Sequence, residues 1–217
     1  MKSNSEYRAI ARQTLAQSWT EAAVFMLLIL VITCAFAIPA SVLGKTSNFA
    51  VSGALNGTQL LVSVLLLAPL GYGFSNALLS LLRNTDMSSN LMSEAFAFFK
   101  NDYSRSVPAL LLAAVFEVLL GVVTFGIGTI ILTYAYAMVP YLVRDYPNIG
   151  AREALRISAD MMRGHKWDLF VLHLSFIGWA LLCILTLGIG FLWLSPYMDM
   201  AQAAFYEDLK QESIVEE

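Results

Sequence analysis

The sequence predicts an all-α membrane protein with six transmembrane helices in three hairpins, each preceded by an amphipathic interfacial helix, and with both termini cytoplasmic. Three observations predict this fold class: the apolar composition, the length of the apolar segments and the placement of Lys and Arg. Apolar types make up 58% of the 217 residues, charged types make up 13%, and the mean hydropathy is +0.67. Soluble domains contain roughly 45–50% apolar and about 25% charged residues. Because too few polar residues remain to cover a soluble surface, we expect one polytopic membrane domain over residues 1–217.

The apolar segments are long enough for six passes, since a helix needs about 20 residues to cross the hydrocarbon core. One long segment has Glu117 as its single ionisable residue and would measure about 55 Å as one helix. It is expected to break at Gly126 and Gly128, where helix propensity is lowest. The last apolar segment is expected to break in the same way at Gly188 and Gly190. The predicted spans are 22–43, 59–82, 107–124, 127–143, 167–185 and 190–207.

The positive charges predict the orientation. Twelve of the 13 Lys and Arg residues precede the first span, follow the sixth, or lie after the second and fourth spans. The opposite side has Lys45 alone. Since short cytoplasmic segments are enriched in Lys and Arg, both termini are expected in the cytoplasm.

A segment with helical periodicity precedes each predicted hairpin, at about 5–18, 88–100 and 150–163. Amphipathic helices of this kind lie in the headgroup plane with their apolar face toward the acyl chains. One apolar face in the first segment consists of Tyr7, Ile10, Ala11, Thr14, Leu15 and Ser18.

The last two units resemble each other. The run Thr124-Phe-Gly-Ile-Gly128 recurs 62 residues later as Thr186-Leu-Gly-Ile-Gly190, and Asp145 falls on Glu207 at the same offset. This pattern indicates a duplicated unit of surface helix plus hairpin. Because the copies run in the same direction through the membrane, unlike the inverted repeats of many secondary transporters, the pattern disfavours a transporter.

Three ionisable residues inside the predicted spans are candidates for an intramembrane polar site: Glu117, His173 and Asp199. A charge near the bilayer centre costs about 2.5–3.5 kcal/mol on insertion scales, so such residues are functional candidates. The alternative is that each one forms hydrogen bonds that hold helices together.

A cationic and aromatic group surrounds the entrance to the fifth span. It is a candidate for contact with lipid headgroups or a partner protein, although positive-inside topology alone also accounts for it. Its members are Arg152, Arg156, Arg163, His165, Lys166 and Trp167.

Several spaced blocks in residues 151–209 carry a family resemblance. They are Arg163-Gly-His-Lys-Trp-Asp-Leu-Phe170, Leu174-Ser-Phe-Ile-Gly-Trp179, Thr186-Leu-Gly-Ile-Gly190, Pro196-Tyr197 and Ala204-Phe-Tyr-Glu207. These blocks resemble the bacterial integral membrane proteins of the family catalogued as domain of unknown function 975. The resemblance implies a multi-pass bacterial membrane protein. That family often has an acidic residue just before the Leu-Ser-Phe block, where this chain has His173, which disfavours any mechanism that needs a carboxylate there.

The sequence contains no serine elbow, no cysteine–histidine nucleophile pair and no metal-ligand spacing. We therefore expect a non-enzymatic protein, without cofactor or metal, that organises lipid or a partner protein at the bacterial cytoplasmic membrane. The alternative is a small transporter or channel that uses Glu117, His173 and Asp199. The expected partners are the lipid bilayer, anionic lipid and an unidentified membrane or cytoplasmic protein. The net charge of -3 gives no reason to expect nucleic acid.

Overall fold

The computed structural model describes residues 2–43, 58–59, 62–83, 91–101, 103–123 and 127–215. Every regular element in these residues is a helix, which confirms the all-α prediction for this part of the chain. A short π-helical turn, Ser63–Leu67, leads into α3. The α-helices are α1 (Asn4–Leu15), α2 (Trp19–Leu43), α3 (Ala68–Arg83), α4 (Leu91–Asn101), α5 (Tyr103–Val123), α6 (Ile127–Ala135), α7 (Val139–Asp145), α8 (Ala151–Met161), α9 (Lys166–Leu174), α10 (Ile177–Leu185) and α11 (Phe191–Val215).

Three helical stretches are long and apolar enough to cross a membrane: Trp19–Ile38, Leu65–Arg83 and Lys166–Leu185. Large apolar side chains stay exposed on α2, α5 and α10; Val31 is 59% exposed and Leu185 is 80% exposed. Extended exposed apolar surface of this kind marks contact with a membrane or a protein partner. The helices therefore fit a protein that associates with a membrane.

Two of the predicted spans are not continuous helices. The span 127–143 is interrupted at 136–138, just before Pro140, which lacks a backbone N–H and is tolerated at the start of α7. The span 167–185 is interrupted at 175–176. There the Ser175 hydroxyl donates to the carbonyl of Leu172 over 2.6 Å, a local bond that competes with regular helix geometry.

The helices form three consecutive units, each with a short leading helix followed by two longer helical stretches. The leading helices are α1, α4 and α8. Each packs against the last helix of the preceding unit: α4 against α3, α8 against α7, and α1 against α11. Because the last of these contacts joins the first unit to the third, the units close into a ring. The sequence repeat covers the last two units, and the first unit makes the same kind of contact through α1 and α4.

The leading helix α1 packs its apolar face against protein rather than against acyl chains, which corrects the expectation for this helix. Tyr7, Ala11 and Leu15 are almost completely buried, and the ring centroids of Tyr7 and Phe205 are 5.5 Å apart. The physical reason is that α11 offers a matching apolar surface, with Phe205 in the same buried cluster as the α1 residues. Burying these side chains against one another removes apolar area from water and stabilises the contact.

The turn between α10 and α11 suits apolar surroundings. Each backbone N–H from Thr186 to Leu194 donates a hydrogen bond within the segment, and the N–H of Gly190 donates to the Thr186 hydroxyl over 3.2 Å. Gly188 has a φ of 87°, a conformation that glycine adopts without steric cost. A turn with all its N–H groups satisfied avoids the cost of unpaired donors in a medium without water.

Candidate functional site

A charged cluster joins the ends of the three units. The Arg83 guanidinium donates to both carboxylate oxygens of Asp145 over 2.7 Å and to Glu207 over 2.6 Å. Arg83 and Asp145 lie 62 residues apart, which is also the offset between Asp145 and Glu207 in the sequence repeat. Equivalent positions of the three units therefore supply the ion pairs that hold the units together.

Asp145 is the centre of this charged cluster. Lys210 donates to its carboxylate over 2.6 Å and the Tyr206 hydroxyl donates over 2.9 Å, while its side chain is 6% exposed. Burial by itself raises the pKa of Asp145, but the hydrogen bonds from Arg83, Lys210 and Tyr206 outweigh burial and hold the pKa well below its usual range. Asp145 is therefore ionised at neutral pH and committed to structural contacts.

Two further polar contacts join neighbouring units. Arg144 donates to the carbonyl oxygen of Asn76 and, over 2.9 Å, to the hydroxyl of Ser80. That hydroxyl in turn donates to Glu94, so α3, α4 and α7 share one network. At the ring closure, the side chains of Lys2 and Tyr7 both donate to Asp208, over 2.5 Å and 2.6 Å. Arginine and acidic side chains at these helix ends thus serve contacts between units.

A cleft of about 650 Å³ lies between α1 and the last two helices. Its volume falls within the range of roughly 300–1,000 Å³ that is typical of small-molecule sites. One end is polar and the remaining wall is mainly apolar and aromatic. Its lining includes Arg8, Arg12, Trp19, Trp179, Leu182 and Trp193.

The polar end of the cleft carries two arginines from one face of α1. Arg8 donates to the backbone carbonyl of Ser175 over 3.3 Å, and the Tyr197 hydroxyl donates to the backbone carbonyl of Arg8 over 3.0 Å. Within the described ranges, no carboxylate forms an ion pair with Arg8 or Arg12. The cleft therefore presents uncompensated positive charge beside an apolar surface.

The structure does not bring His173 and Asp199 into one site. His173 lines a separate cavity of about 560 Å³, together with Gln202 and Thr133. Asp199 is not among the residues that line this cavity. Glu117 belongs to α5, but its side chain lies outside the described residues. Of the three candidate ionisable residues, the two whose side chains the structure places therefore do not line one cavity.

The cationic group around the predicted fifth span lies along the outside of α8 and α9. Arg163 donates to Asp160 over 2.9 Å and His165 lies 3.2 Å from Asp168, both within one helical turn. Trp167 is 69% exposed. An open surface of this kind can contact headgroups or a protein, but it encloses no site. Its other members are Arg152, Arg156 and Lys166.

Sequence reasoning missed the cleft, because it counted Arg8 and Arg12 only as topology signals. A usable signal was present: two arginines at i and i+4 on a helix, on one face, followed by Trp19 at the start of an apolar helix. The distant half of the site, Trp179 and Trp193, carries no local signal that links it to α1. In the part of the chain that the structure describes, no three His, Cys, Asp or Glu side chains come together as a metal site requires.

The described residues define an all-helical protein with three helical stretches long and apolar enough to cross a membrane, and comparison with known families adds one finding. Residues 106–213 belong to the family described as protein of unknown function (DUF975), whose family model matches them. This confirms the resemblance carried by the sequence blocks and extends it upstream to residue 106. No curated protein and no solved structure matches the chain.

Proposed function

We propose that this is a non-enzymatic protein of the bacterial cytoplasmic membrane that organises lipid or a partner protein there. In this proposal the chain crosses the membrane six times, in three hairpins with both termini in the cytoplasm. The asymmetric placement of Lys and Arg supports the orientation. The three long apolar helical stretches support insertion into the bilayer.

The observation that carries this proposal is the use of the polar side chains. A catalytic or transporting carboxylate must exchange protons or ligands, whereas Asp145 and Asp208 are each held by at least two donors in contacts between helices. The exposed arginines on α8 lie on the outside of the molecule, where they are available to anionic headgroups or an acidic protein surface. These features favour a scaffold over a reaction site.

The second candidate is a small transporter or channel. The observation that favours it is the mainly apolar cavity into which His173 and Gln202 bring polar side chains, because polar groups in a cavity between predicted spans suit an ion or proton path. The helix that carries Glu117 also contributes Leu110 and Ala113 to this cavity. In this candidate, transport would use Glu117 and His173, and Asp199 would lie outside the cavity that His173 lines.

The variant Glu117→Gln separates the two candidates, because it keeps the shape and hydrogen-bonding capacity of the side chain and removes its charge. For the scaffold we expect thermal stability close to that of the wild type, and no ion- or pH-driven flux in reconstituted vesicles for either protein. Glu117→Leu, which also removes the hydrogen bonds, should lose about 0.6–2 kcal/mol of stability. A flux present in the wild type and absent in Glu117→Gln would overturn the scaffold and support transport.

A complementary measurement identifies what is organised. Affinity purification in mild detergent, with lipids and proteins both identified by mass spectrometry, should recover a defined lipid class or a stoichiometric protein. Recovery of only the bulk membrane lipid mixture, with no protein above background, would contradict the scaffold proposal.

A further inference from the structure

The cleft beside α1 has the two-part chemistry of a membrane lipid. Arg8 and Arg12 supply positive charge at one end, and Trp179, Leu182 and Trp193 supply apolar surface along the rest. The chain has four tryptophans, and three of them line this one cleft. Arginine pairs strongly with phosphate, while tryptophan tolerates both the apolar chain and the polar headgroup region.

The depth of the arginines gives a reason for an anionic occupant. Arg8 contacts the carbonyl of Ser175, nine residues beyond the start of α9 at Lys166, which corresponds to about 13 Å along the helix axis. If Lys166 lies at the cytoplasmic surface, as the proposed topology has it, the guanidinium lies below the headgroup plane. Charged groups at that depth are costly and are found paired, and no described carboxylate pairs with Arg8 or Arg12.

The length of the cleft suits an acyl chain. Its lining runs from Arg8, at the level of Ser175, to Thr186 and Gly190 at the turn. Ser175 and Thr186 are 11 residues apart, or about 16 Å along a helix, which is about half of the roughly 30 Å hydrocarbon core. The wall is therefore about as long as an acyl chain in one leaflet.

We infer that this cleft binds one anionic phospholipid, with the phosphate between Arg8 and Arg12 and one acyl chain along the wall formed by Trp179, Leu182 and Trp193. The inference rests on the proposed function in one respect, the placement of the last helices in the bilayer, and it names the lipid class that the scaffold organises. The bound lipid neutralises the two guanidinium groups and covers apolar surface between α1 and the last helix pair.

The test is quenching of tryptophan fluorescence by a lipid with brominated acyl chains. The full chain with Trp167→Phe, which leaves the three cleft tryptophans as its fluorophores, is titrated in mild detergent with brominated phosphatidylglycerol or brominated phosphatidylcholine. We expect saturable quenching by the anionic lipid at a concentration at least about tenfold below that needed for phosphatidylcholine, since each basic residue near a membrane contributes about 1 kcal/mol toward anionic lipid. Inorganic phosphate should not compete, because it lacks the acyl chain.

The matched control uses two arginines with the same spacing on another leading helix. Arg8→Gln with Arg12→Gln should abolish the preference for phosphatidylglycerol, whereas Arg152→Gln with Arg156→Gln on the outside of α8 should retain it. If the first pair of substitutions prevents folding, Leu182→Phe narrows the cleft from an exposed position and should weaken quenching without changing the charge. Equal quenching by both lipids, or equal loss in both arginine pairs, would overturn the inference.

Failure of this inference is distinguishable from failure of the proposed function. Flux that depends on Glu117 together with a retained phosphatidylglycerol preference would overturn the scaffold and leave the lipid site in place. Absence of flux together with equal quenching by the two lipids would overturn the lipid site alone.

Discussion

At the scale of single residues, Asp145 shows how a side chain is committed to structure. Its carboxylate accepts hydrogen bonds from Arg83, Lys210 and Tyr206, each from a different position around it. Removing one partner of a buried ion pair is costly because the remaining charges lose their compensation. The sequence repeat relates Asp145 to Glu207, but the role of Arg83 as the bridge between them depends on the tertiary contact.

The variant Asp145→Asn should lower the free energy of unfolding by about 3–5 kcal/mol, since it leaves Arg83 and Lys210 without their shared acceptor. The measurement is a denaturant titration in mild detergent. The control is Asp160→Asn, because Asp160 pairs with Arg163 at an exposed position and such pairs contribute about 0–1 kcal/mol. Equal losses in the two variants would contradict the structural role of the charged cluster.

Acid should destabilise the folded protein through protonation of Asp145. Because the folded-state pKa of Asp145 lies below its ordinary value, the stabilisation is complete above about pH 4, the unfolded pKa. It declines as the pH falls toward the lowered pKa of the folded protein. The loss of stability between pH 5 and lower values should therefore be smaller in Asp145→Asn than in the wild type.

At the scale of helices, the leading helices are integral parts of the packed molecule. α1 begins with a capping box in which Ser3 and Glu6 satisfy each other's backbone N–H groups. Its buried face then packs against α11 and closes the ring of units. A helix that lay only in the headgroup plane would tolerate substitutions on this face much better.

Substitution on the two faces of α1 checks this packing. Ala11→Asp should strongly reduce the folded yield, because Ala11 is completely buried and an unpaired charge in an apolar environment costs several kcal/mol. Gln13→Asp, two residues away on the exposed side, should change the yield little. The measurement is the monodisperse fraction after detergent extraction, together with protease sensitivity. Tolerance of Asp at both positions would show that α1 does not pack as described.

At the scale of the whole molecule, the three units share one mode of contact. Each leading helix contacts the last helix of the preceding unit, and charged residues at intervals of 62 meet at the unit ends. This ring places the termini near each other, since Lys2 contacts Asp208.

The proposed topology is checked with single cysteines in a background that lacks Cys34 and Cys183. Positions Ser47 and Ser89 lie outside the described residues, in the predicted first outer loop and the following cytoplasmic segment. An impermeant thiol reagent added to intact spheroplasts should label a cysteine at position 47 and leave one at position 89 unlabelled. The reverse pattern would invert the orientation, and disrupted cells supply the control that both positions can react.

The sequence alone determined the all-helical class, the family resemblance and the presence of long apolar segments. These properties are local or additive: apolar run length, helical periodicity and charge counts need no knowledge of the partner helix. The same local character explains why the interruptions at 136–138 and 175–176 were not predicted, since they depend on Pro140 and on a side-chain hydrogen bond. Hydropathy does not register either feature.

Only the tertiary structure decided which residues meet. The cleft combines Arg8 from the first unit with Trp179 and Trp193 from the third, and the charged cluster draws residues from all three units. The tertiary structure also placed His173 in a cavity that Asp199 does not line, although both residues belong to the last unit. The physical reason is that such contacts depend on helix rotation and on the ring closure between α1 and α11, and these follow from packing between segments nearly 200 residues apart.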